Sequence, residues 1–141
     1  MENTIKIELS SKPSNEKIAR HMISSMLLDL NPTVEEVCDI KTAVSEAVTN
    51  SIIHGYGNGK GTIYISATIE NNEITIEIKD FGKGIEDVER AREPLYTSQP
   101  ELERSGMGFT VMESFMDYLD VVSEKGFGTK VIMRKKINQN V

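Results

Sequence analysis

The sequence predicts an α+β fold of two layers, in which a mixed, mostly antiparallel sheet carries its helices on one face. Short segments that alternate apolar and polar residues indicate half-buried strands, and two longer segments repeat apolar residues with a helical period. The predicted order along the chain is β-α-α-β-β-loop-α-β-β. Because 141 residues are close to the length of one ordinary domain, we expect a single domain over residues 1–141.

The first predicted strand and helix occupy the first 30 residues. Residues 4–9 alternate strictly, and the Ser-Lys-Pro-Ser-Asn sequence that follows breaks the strand and offers caps for a helix over residues 16–30. The helical period predicts a buried stripe formed by Ile18, Ala19, Met22, Ile23, Met26, Leu27 and Leu30.

The second helix is predicted over residues 34–54. Thr33 caps its start, and Glu36 three residues later completes a capping box. Four glycines in residues 55–61 end the helix, since such a sequence does not form regular structure.

Two hairpins and an irregular segment are predicted in the rest of the chain. The expected elements are strands over 62–70 and 73–79, a helix over 109–116, and strands over 118–123 and 129–135. Asn71-Asn72 tolerates positive φ and suits a two-residue hairpin turn. Residues 80–108 have no regular pattern and contain Pro94 and Pro100. Because an irregular stretch of this length usually forms a lid or a binding loop, we predict a lid at about residues 85–105.

The composition argues against several classes of protein. The 16 basic and 22 acidic residues give a net charge of −6, whereas domains that neutralise nucleic-acid phosphates are usually basic on one face. No apolar run approaches the roughly 18 residues of a membrane-spanning helix, and the first residues lack the pattern of a secretory signal. The single cysteine, Cys38, forms no internal disulfide. We therefore expect a cytoplasmic protein that binds neither nucleic acid nor membrane directly.

The second helix carries a polar face that runs into the glycine-rich loop. Glu46, Asn50 and His54 are spaced i, i+4, i+8 and so share one side of a regular helix. A solvated stripe is the plain interpretation, with His54 capping the helix end. The adjoining glycines favour a site instead.

Three glycine motifs follow along the chain. Asp80-Phe-Gly-Lys-Gly84 comes after a strand, where it forms either a tight turn or a contact with a ring bearing an exocyclic amine. Ser105-Gly-Met-Gly-Phe109 opens a helix, whose N-terminus favours an anion, although glycine-rich helix starts are common. Taken alone, the sequence Gly126-Phe-Gly-Thr129 indicates a hairpin turn.

In this order, the helix and the three glycine motifs resemble the ATP-binding domain shared by gyrase, the large heat-shock chaperone, histidine kinases and the MutL mismatch-repair protein. Residues 44–57, 94–98 and 101–113 are similar to the anti-sigma factor serine kinases, and the similarity covers nearly the whole chain. No Gly-x-x-x-x-Gly-Lys-Ser/Thr sequence is present, which argues against a P-loop enzyme. The resemblance implies a Bergerat-type fold, ATP and Mg²⁺.

The resemblance also implies a role for each matching residue. Asn50 would coordinate the Mg²⁺ that bridges the phosphates, and Glu46 would be the general base for the incoming hydroxyl. Asp80 would bind the adenine amino group, and Arg104 would contact the γ-phosphate. The remaining contacts, from backbone approaching the base and from residues beside the phosphates or adenine, fall on Gly82, Gly84, Ser105, Gly106, Gly108 and Thr129.

A kinase of this family would sequester a sporulation sigma factor, phosphorylate a serine of the anti-anti-sigma protein and work as a homodimer. The alternative is a nucleotide-gated sigma-binding module of the general-stress type with little turnover. Glu46 favours catalysis, since a binding module needs no base there.

A partner surface is predicted on the first helix. Glu16 and Arg20 fall one turn apart, and we expect them opposite the apolar stripe. A solvated face is again the plain interpretation, but an exposed arginine can bind a carboxylate with two hydrogen bonds. The sigma factor and the anti-anti-sigma protein would both bind there.

Overall fold

A five-stranded sheet forms one layer of the structure, a computed structural model that describes residues 2–94 and 108–138. The strands are β1 (Asn3–Ser10), β2 (Thr62–Glu70), β3 (Glu73–Asp80), β4 (Tyr118–Glu124) and β5 (Gly128–Lys136). The helices are α1 (Asn15–Met26), α2 (Val34–Asn50), α3 (Val88–Ala91) and α4 (Gly108–Phe115). The strand order is β1-β2-β3-β5-β4, and the helices lie on one face, which confirms the predicted fold class.

All four ladders of the described sheet are antiparallel, whereas the predicted sheet was mostly antiparallel with some parallel pairing. β3 and β4 are connected through α4 and run in the same direction, as strands joined by a crossover can. However, β5 lies between them and is antiparallel to both. The two strands that could form a parallel pair are therefore not neighbours.

The helix boundaries follow the sequence signals closely. The capping box between Thr33 and Glu36 is present at the start of α2. The predicted helix over 16–30 is α-helical only to Met26 and continues as a 3₁₀ segment, Leu27–Leu30. The predicted helix over 34–54 ends as an α-helix at Asn50 and continues as a π-helical turn, Ser51–Gly55.

The structure agrees with the predicted turn between β2 and β3 and differs from the prediction for the segment after β3. Asn71 and Asn72 both have positive φ, 53° and 61°, as the predicted two-residue turn requires. The segment after β3 was predicted to be irregular, but it contains the short helix α3, which Asp87 caps by accepting a hydrogen bond from the Arg90 N–H at 3.1 Å.

The core between the sheet and the helices consists largely of isoleucine and valine. The strands contribute Ile63, Ile65, Ile74, Ile76, Ile78 and Val131, and α2 contributes Ile40, Ala43, Val44, Ala47 and Val48. Each fully buried side chain of this kind stabilises the fold by about 1.5–3 kcal/mol. Among residues 2–94 and 108–138, no helix has the length and apolarity to cross a membrane.

The predicted faces of α1 are wrong in two respects. Ile18 and Met22, predicted inside, are 50% and 42% exposed. Glu16 and Arg20, predicted on the opposite side, lie next to the core stripe: Ile23 follows Glu16 by seven residues and Arg20 by three, so the three residues share one face. Glu16 accepts a hydrogen bond from the Ser45 hydroxyl of α2 at 2.5 Å and lies 3.8 Å from Arg20 Nε.

Candidate functional site

A cavity of about 570 Å³ is formed by the C-terminal end of α2, the end of β3 and the start of α4. Its volume lies in the range of small-molecule sites. Five of the predicted site residues line it: Asn50, Asp80, Gly84, Gly108 and Thr129. The fold therefore brings together residues that are as much as 79 positions apart in the sequence.

The other predicted residues differ in how the structure places them. Glu46, one helical turn before Asn50, is half-buried and is not among the residues that line the cavity. Gly82 lies in the turn after Asp80 but is not a lining residue either. Three predicted residues, Arg104, Ser105 and Gly106, lie outside the described residues.

Asp80 is a buried carboxylate at the end of β3, with 3% of its surface exposed. Its side chain accepts hydrogen bonds from the Gly82 N–H at 2.9 Å, from the Ser51 hydroxyl and from the Thr129 N–H. Burial raises the pKa of Asp80 above its ordinary value, and the three hydrogen bonds offset only part of that shift. The Asp80 carboxyl group therefore lies at the cavity, where a hydrogen-bond donor of a ligand can reach it.

Two glycines allow the chain to pass close to Asp80. A Cβ at Gly55 would lie 2.8 Å from the Asp80 carboxyl group, and a Cβ at Gly82 would lie 2.0 Å from the Gly55 carbonyl oxygen. The Lys83 N–H donates to that same carbonyl at 2.9 Å. The turn after β3 is therefore packed against the glycine-rich loop with no space for a side chain between them.

The π-helical turn after α2 supplies a contact that sequence reasoning missed. Ser51 is 4% exposed, and its hydroxyl group donates a hydrogen bond to the Asp80 carboxylate. A π-helical turn shifts the side chains relative to a regular helix, and such turns are frequent at functional sites. The available signal was a run of three polar residues, Thr49, Asn50 and Ser51, shortly before the glycine-rich loop. His54, also in this turn, lines the cavity.

Asn50 provides an observation that tests whether a nucleotide and its metal ion fit. Its side-chain Nδ2 is buried and has no hydrogen-bond partner within the part of the chain that is described. A buried amide group without a partner costs free energy, and this one lines the cavity, so a polar ligand there would satisfy it. The unpartnered atom is a donor, so the ligand group that suits it is an acceptor such as a phosphate oxygen. The Oδ1 atom of the same amide is the type of ligand that Mg²⁺ takes, so the residues present fit ATP with Mg²⁺.

The start of α4 forms one side of the cavity. α4 begins at Gly108, which lines the cavity, so the N-terminal end of its dipole lies there. Among the described lining residues, three are cations, Lys83, Arg90 and Lys125, and three are acids, Asp80, Glu86 and Asp87. The Lys125 Nζ lies 3.7 Å from a carboxylate oxygen of Glu86.

Thr129 is fixed from both sides. It is the ladder partner of Asp80 at the start of β5, and its hydroxyl lies 2.8 Å from the Ser123 hydroxyl. Ser123 in turn accepts from the Ile85 N–H at 2.7 Å and donates to the Gly128 carbonyl at 2.9 Å. The β4–β5 hairpin therefore connects Asp80 with the first residues of the predicted lid.

Comparison with known proteins identifies close relatives. A family model described as a histidine kinase-like ATPase domain matches residues 9–135. An anti-sigma F factor of Clostridium acetobutylicum is 59% identical over 136 residues, 96% of this chain and 95% of that protein. An anti-sigma F factor of Clostridium perfringens is 58% identical over 139 residues, 98% of this chain and 99% of that protein.

Two solved structures are similar to this chain in fold. The RsbU and RsbW domains of a Mycobacterium tuberculosis protein match with a TM-score of 0.69 and 17% identity, over 96% of this chain and 32% of that chain. The catalytic domain of the histidine kinase ThkA matches with a TM-score of 0.59 and 12% identity, over 94% of this chain and 96% of that chain.

Proposed function

Because the chain belongs to the histidine kinase-like ATPase family and, within it, to the anti-sigma F factors, we propose that it is an ATP-dependent protein-serine kinase that also sequesters a sigma factor. Its substrate is a serine of the anti-anti-sigma protein that antagonises it. The family accounts for an anti-sigma role and for ATP binding, and the phosphoryl transfer to serine is our proposal.

The buried carboxyl group of Asp80 carries the proposal. Asp80 lines a cavity of nucleotide size, beside backbone that only glycines allow so close. An oxygen of this carboxylate is a suitable acceptor for the amino group of adenine. The neighbouring Thr129 and Gly84 would contact the same end of the nucleotide.

Asn50 and Glu46 would perform the work at the phosphates. Asn50 would hold Mg²⁺, which neutralises charge on the phosphates during transfer. Glu46, one turn earlier on the rigid helix α2, would orient the serine hydroxyl and take its proton. Arg104, Ser105, Gly106 and the start of α4 at Gly108 would contact the phosphates.

At the level of the assembly, we propose a homodimer, with a lid near residues 85–105 and a partner surface that includes Glu16 and Arg20. Both partners would bind there, since the cavity is taken by the nucleotide. Arg20 remains one-third exposed at its side chain and is available to an acidic partner despite its position next to α2.

Incubation of the purified protein with labelled ATP, Mg²⁺ and candidate anti-anti-sigma proteins tests the proposal. We expect one phosphoserine on the partner, mapped by mass spectrometry, and none with Asp80→Asn at the same ATP concentration. Sigma-factor binding that depends on nucleotide, without any phosphoserine, would instead support a binding module with little turnover.

A further inference from the structure

The hydroxyl group of Tyr56 connects two segments of backbone beside the proposed adenine site. It donates a hydrogen bond to the Thr62 carbonyl at 2.6 Å and accepts one from the Phe81 N–H at 2.9 Å. Thr62 is the first residue of β2, and Phe81 directly follows Asp80. The phenol therefore fixes the peptide group next to Asp80 relative to the neighbouring strand.

Tyr56 is itself held firmly in the glycine-rich loop. Its N–H donates to the Ser51 carbonyl at 2.9 Å, and its carbonyl accepts from the Gly59 N–H at 2.8 Å. A Cβ at Gly61 would lie 2.4 Å from the Tyr56 ring, so the ring occupies space that a side chain at position 61 would fill. The direction of the hydroxyl group is thus set by the loop.

The hydrogen bond from Phe81 has a second one beside it. The Lys83 N–H donates to the Gly55 carbonyl at 2.9 Å, so residues 55 and 56 hold both ends of the short turn that contains Gly82. Tyr56 is not among the residues that line the cavity, and it would therefore influence a ligand only through the turn that it holds.

We propose that Tyr56 is a positioning residue that sets the direction of the Asp80 carboxylate and thereby the recognition of the purine amino group. This inference rests on the proposed function. Without the hydroxyl, the Phe81 N–H bonds with water instead, and the turn that carries the Gly82 N–H donor to Asp80 is held at only one end, by the bond from Lys83 to Gly55. The direction of the Asp80 carboxylate is then less closely defined. Tyr56 has no part in the transfer step.

The test compares ATP with purine riboside triphosphate, which lacks the amino group, in the wild-type protein and in Tyr56→Phe. In the presence of Mg²⁺ we expect the variant to bind ATP about three- to tenfold more weakly, the effect of one net neutral hydrogen bond. Binding of the amine-free nucleotide should be unchanged, and kcat at saturating ATP should stay the same. Gly61→Ala, whose Cβ meets the Tyr56 ring, should reproduce the selective loss.

Tyr118→Phe is the matched control, because Tyr118 lies at the far end of the β4–β5 hairpin, stacked with Arg134; it should change neither affinity. Equal loss of both nucleotides in Tyr56→Phe would overturn the inference and give Tyr56 a general structural role. Failure of the wild-type protein to bind ATP would overturn the proposed function together with the inference.

Discussion

The carboxylate of Asp80 illustrates how the fold favours binding over stability at a single residue. Its burial raises its pKa, because the charged form has lost most of its water. Three hydrogen-bond donors compensate in part, and one of them is the hydroxyl group of Ser51, at the junction between α2 and the π-helical turn. A ligand that donates a hydrogen bond to the Asp80 carboxylate would offset the remaining free-energy cost of burying it.

The raised pKa predicts opposite pH trends for stability and for ATP affinity. As the pH falls through the pKa of Asp80, the folded protein takes up a proton that the unfolded chain takes up only at lower pH, so protonation favours the folded state. Stability of the nucleotide-free protein should rise over that interval, whereas ATP affinity should fall because the protonated carboxyl is a poorer acceptor. Urea unfolding and ATP titration across pH measure the two trends.

The matched variant for this pH experiment is Asp80→Asn. The contribution to stability should disappear from its pH profile, because asparagine does not titrate, and ATP should bind weakly at every pH. Identical profiles in the wild-type protein and the variant would show that another group is responsible.

Glu46 is expected to act in chemistry alone. Glu46→Gln should retain ATP affinity and lose phosphoryl transfer by about 10²–10⁴-fold, the usual contribution of a general base. Single-turnover transfer to the anti-anti-sigma protein measures the loss. Glu35→Gln, an exposed change in the first turn of the same helix, is the control and should transfer normally. Transfer by Glu46→Gln at the control rate would remove Glu46 from the mechanism.

The boundaries of helices and strands could be predicted from the sequence, whereas the buried face of α1 could not. The helices and strands were predictable because their apolar periods are long and their caps are explicit, as at Thr33 and Glu36. The faces of α1 were not, because the stripe that packs inside is narrow, and residues at its two edges differ only by a small rotation about the helix axis. Ile18 therefore lies outside, and Glu16 lies against α2.

Arg20 lies beside Glu16 and α2, so a test of its role in partner binding needs a control on the same helix. We expect Arg20→Glu to weaken binding of both the sigma factor and the anti-anti-sigma protein while ATP affinity is unchanged, because the cation is lost and a second acid is placed beside Glu16. Lys17→Glu makes the same charge change at an exposed position of α1 and should bind normally. If the two variants bind alike, Arg20 is not part of the partner surface.

Thermal unfolding of Arg20→Glu belongs with that experiment. Because Arg20 lies 3.8 Å from Glu16, which is bonded to α2, a lower melting temperature would report loss of helix packing. A binding defect without such a decrease supports a direct contact.

The described start of the predicted lid is a short helix whose apolar residues Val88 and Ala91 pack against the edge of the core. α3 has four residues, and Arg92, directly after it, forms a partly exposed ion pair with Glu113 of α4 at 3.5 Å. We expect Mg-ATP to slow tryptic cleavage after Arg90 and Arg92, since nucleotide contacts would order the segment. Cleavage after Lys136, at the end of β5 and away from the cavity, serves as the internal control. Equal protection at all three sites, or none at Arg90 and Arg92, would contradict the lid.

For the molecule as a whole, nucleotide binding should appear as stability. A ligand at about 100 times its Kd stabilises the folded state by about 2.7 kcal/mol if it binds that state alone. The melting temperature should therefore rise with Mg-ATP in the wild-type protein and remain constant in Asp80→Asn. An equal rise in both proteins would place the nucleotide elsewhere.

The overall architecture could be predicted from local patterns, but the arrangement of strands could not. Alternation identifies a strand and does not say which strand is its neighbour, so the insertion of β5 between β3 and β4 was not predictable. The same limit applies to the site. The motif carrying Asp80 could be read from sequence, whereas its hydrogen bonds from Ser51 and Thr129 come from parts of the chain that only the fold brings together.

The position of β5 between β3 and β4 also sets when the sheet can be completed during synthesis on the ribosome. A nascent chain that has been translated only as far as residue 127 already contains β3 and β4, yet the strand that separates and joins them has not been made. Asp80 is then at an open sheet edge and lacks its ladder partner Thr129. Nascent chains elongate at about 5–20 residues per second, so β5 follows within about two seconds, and only then can Asp80 gain its ladder partner.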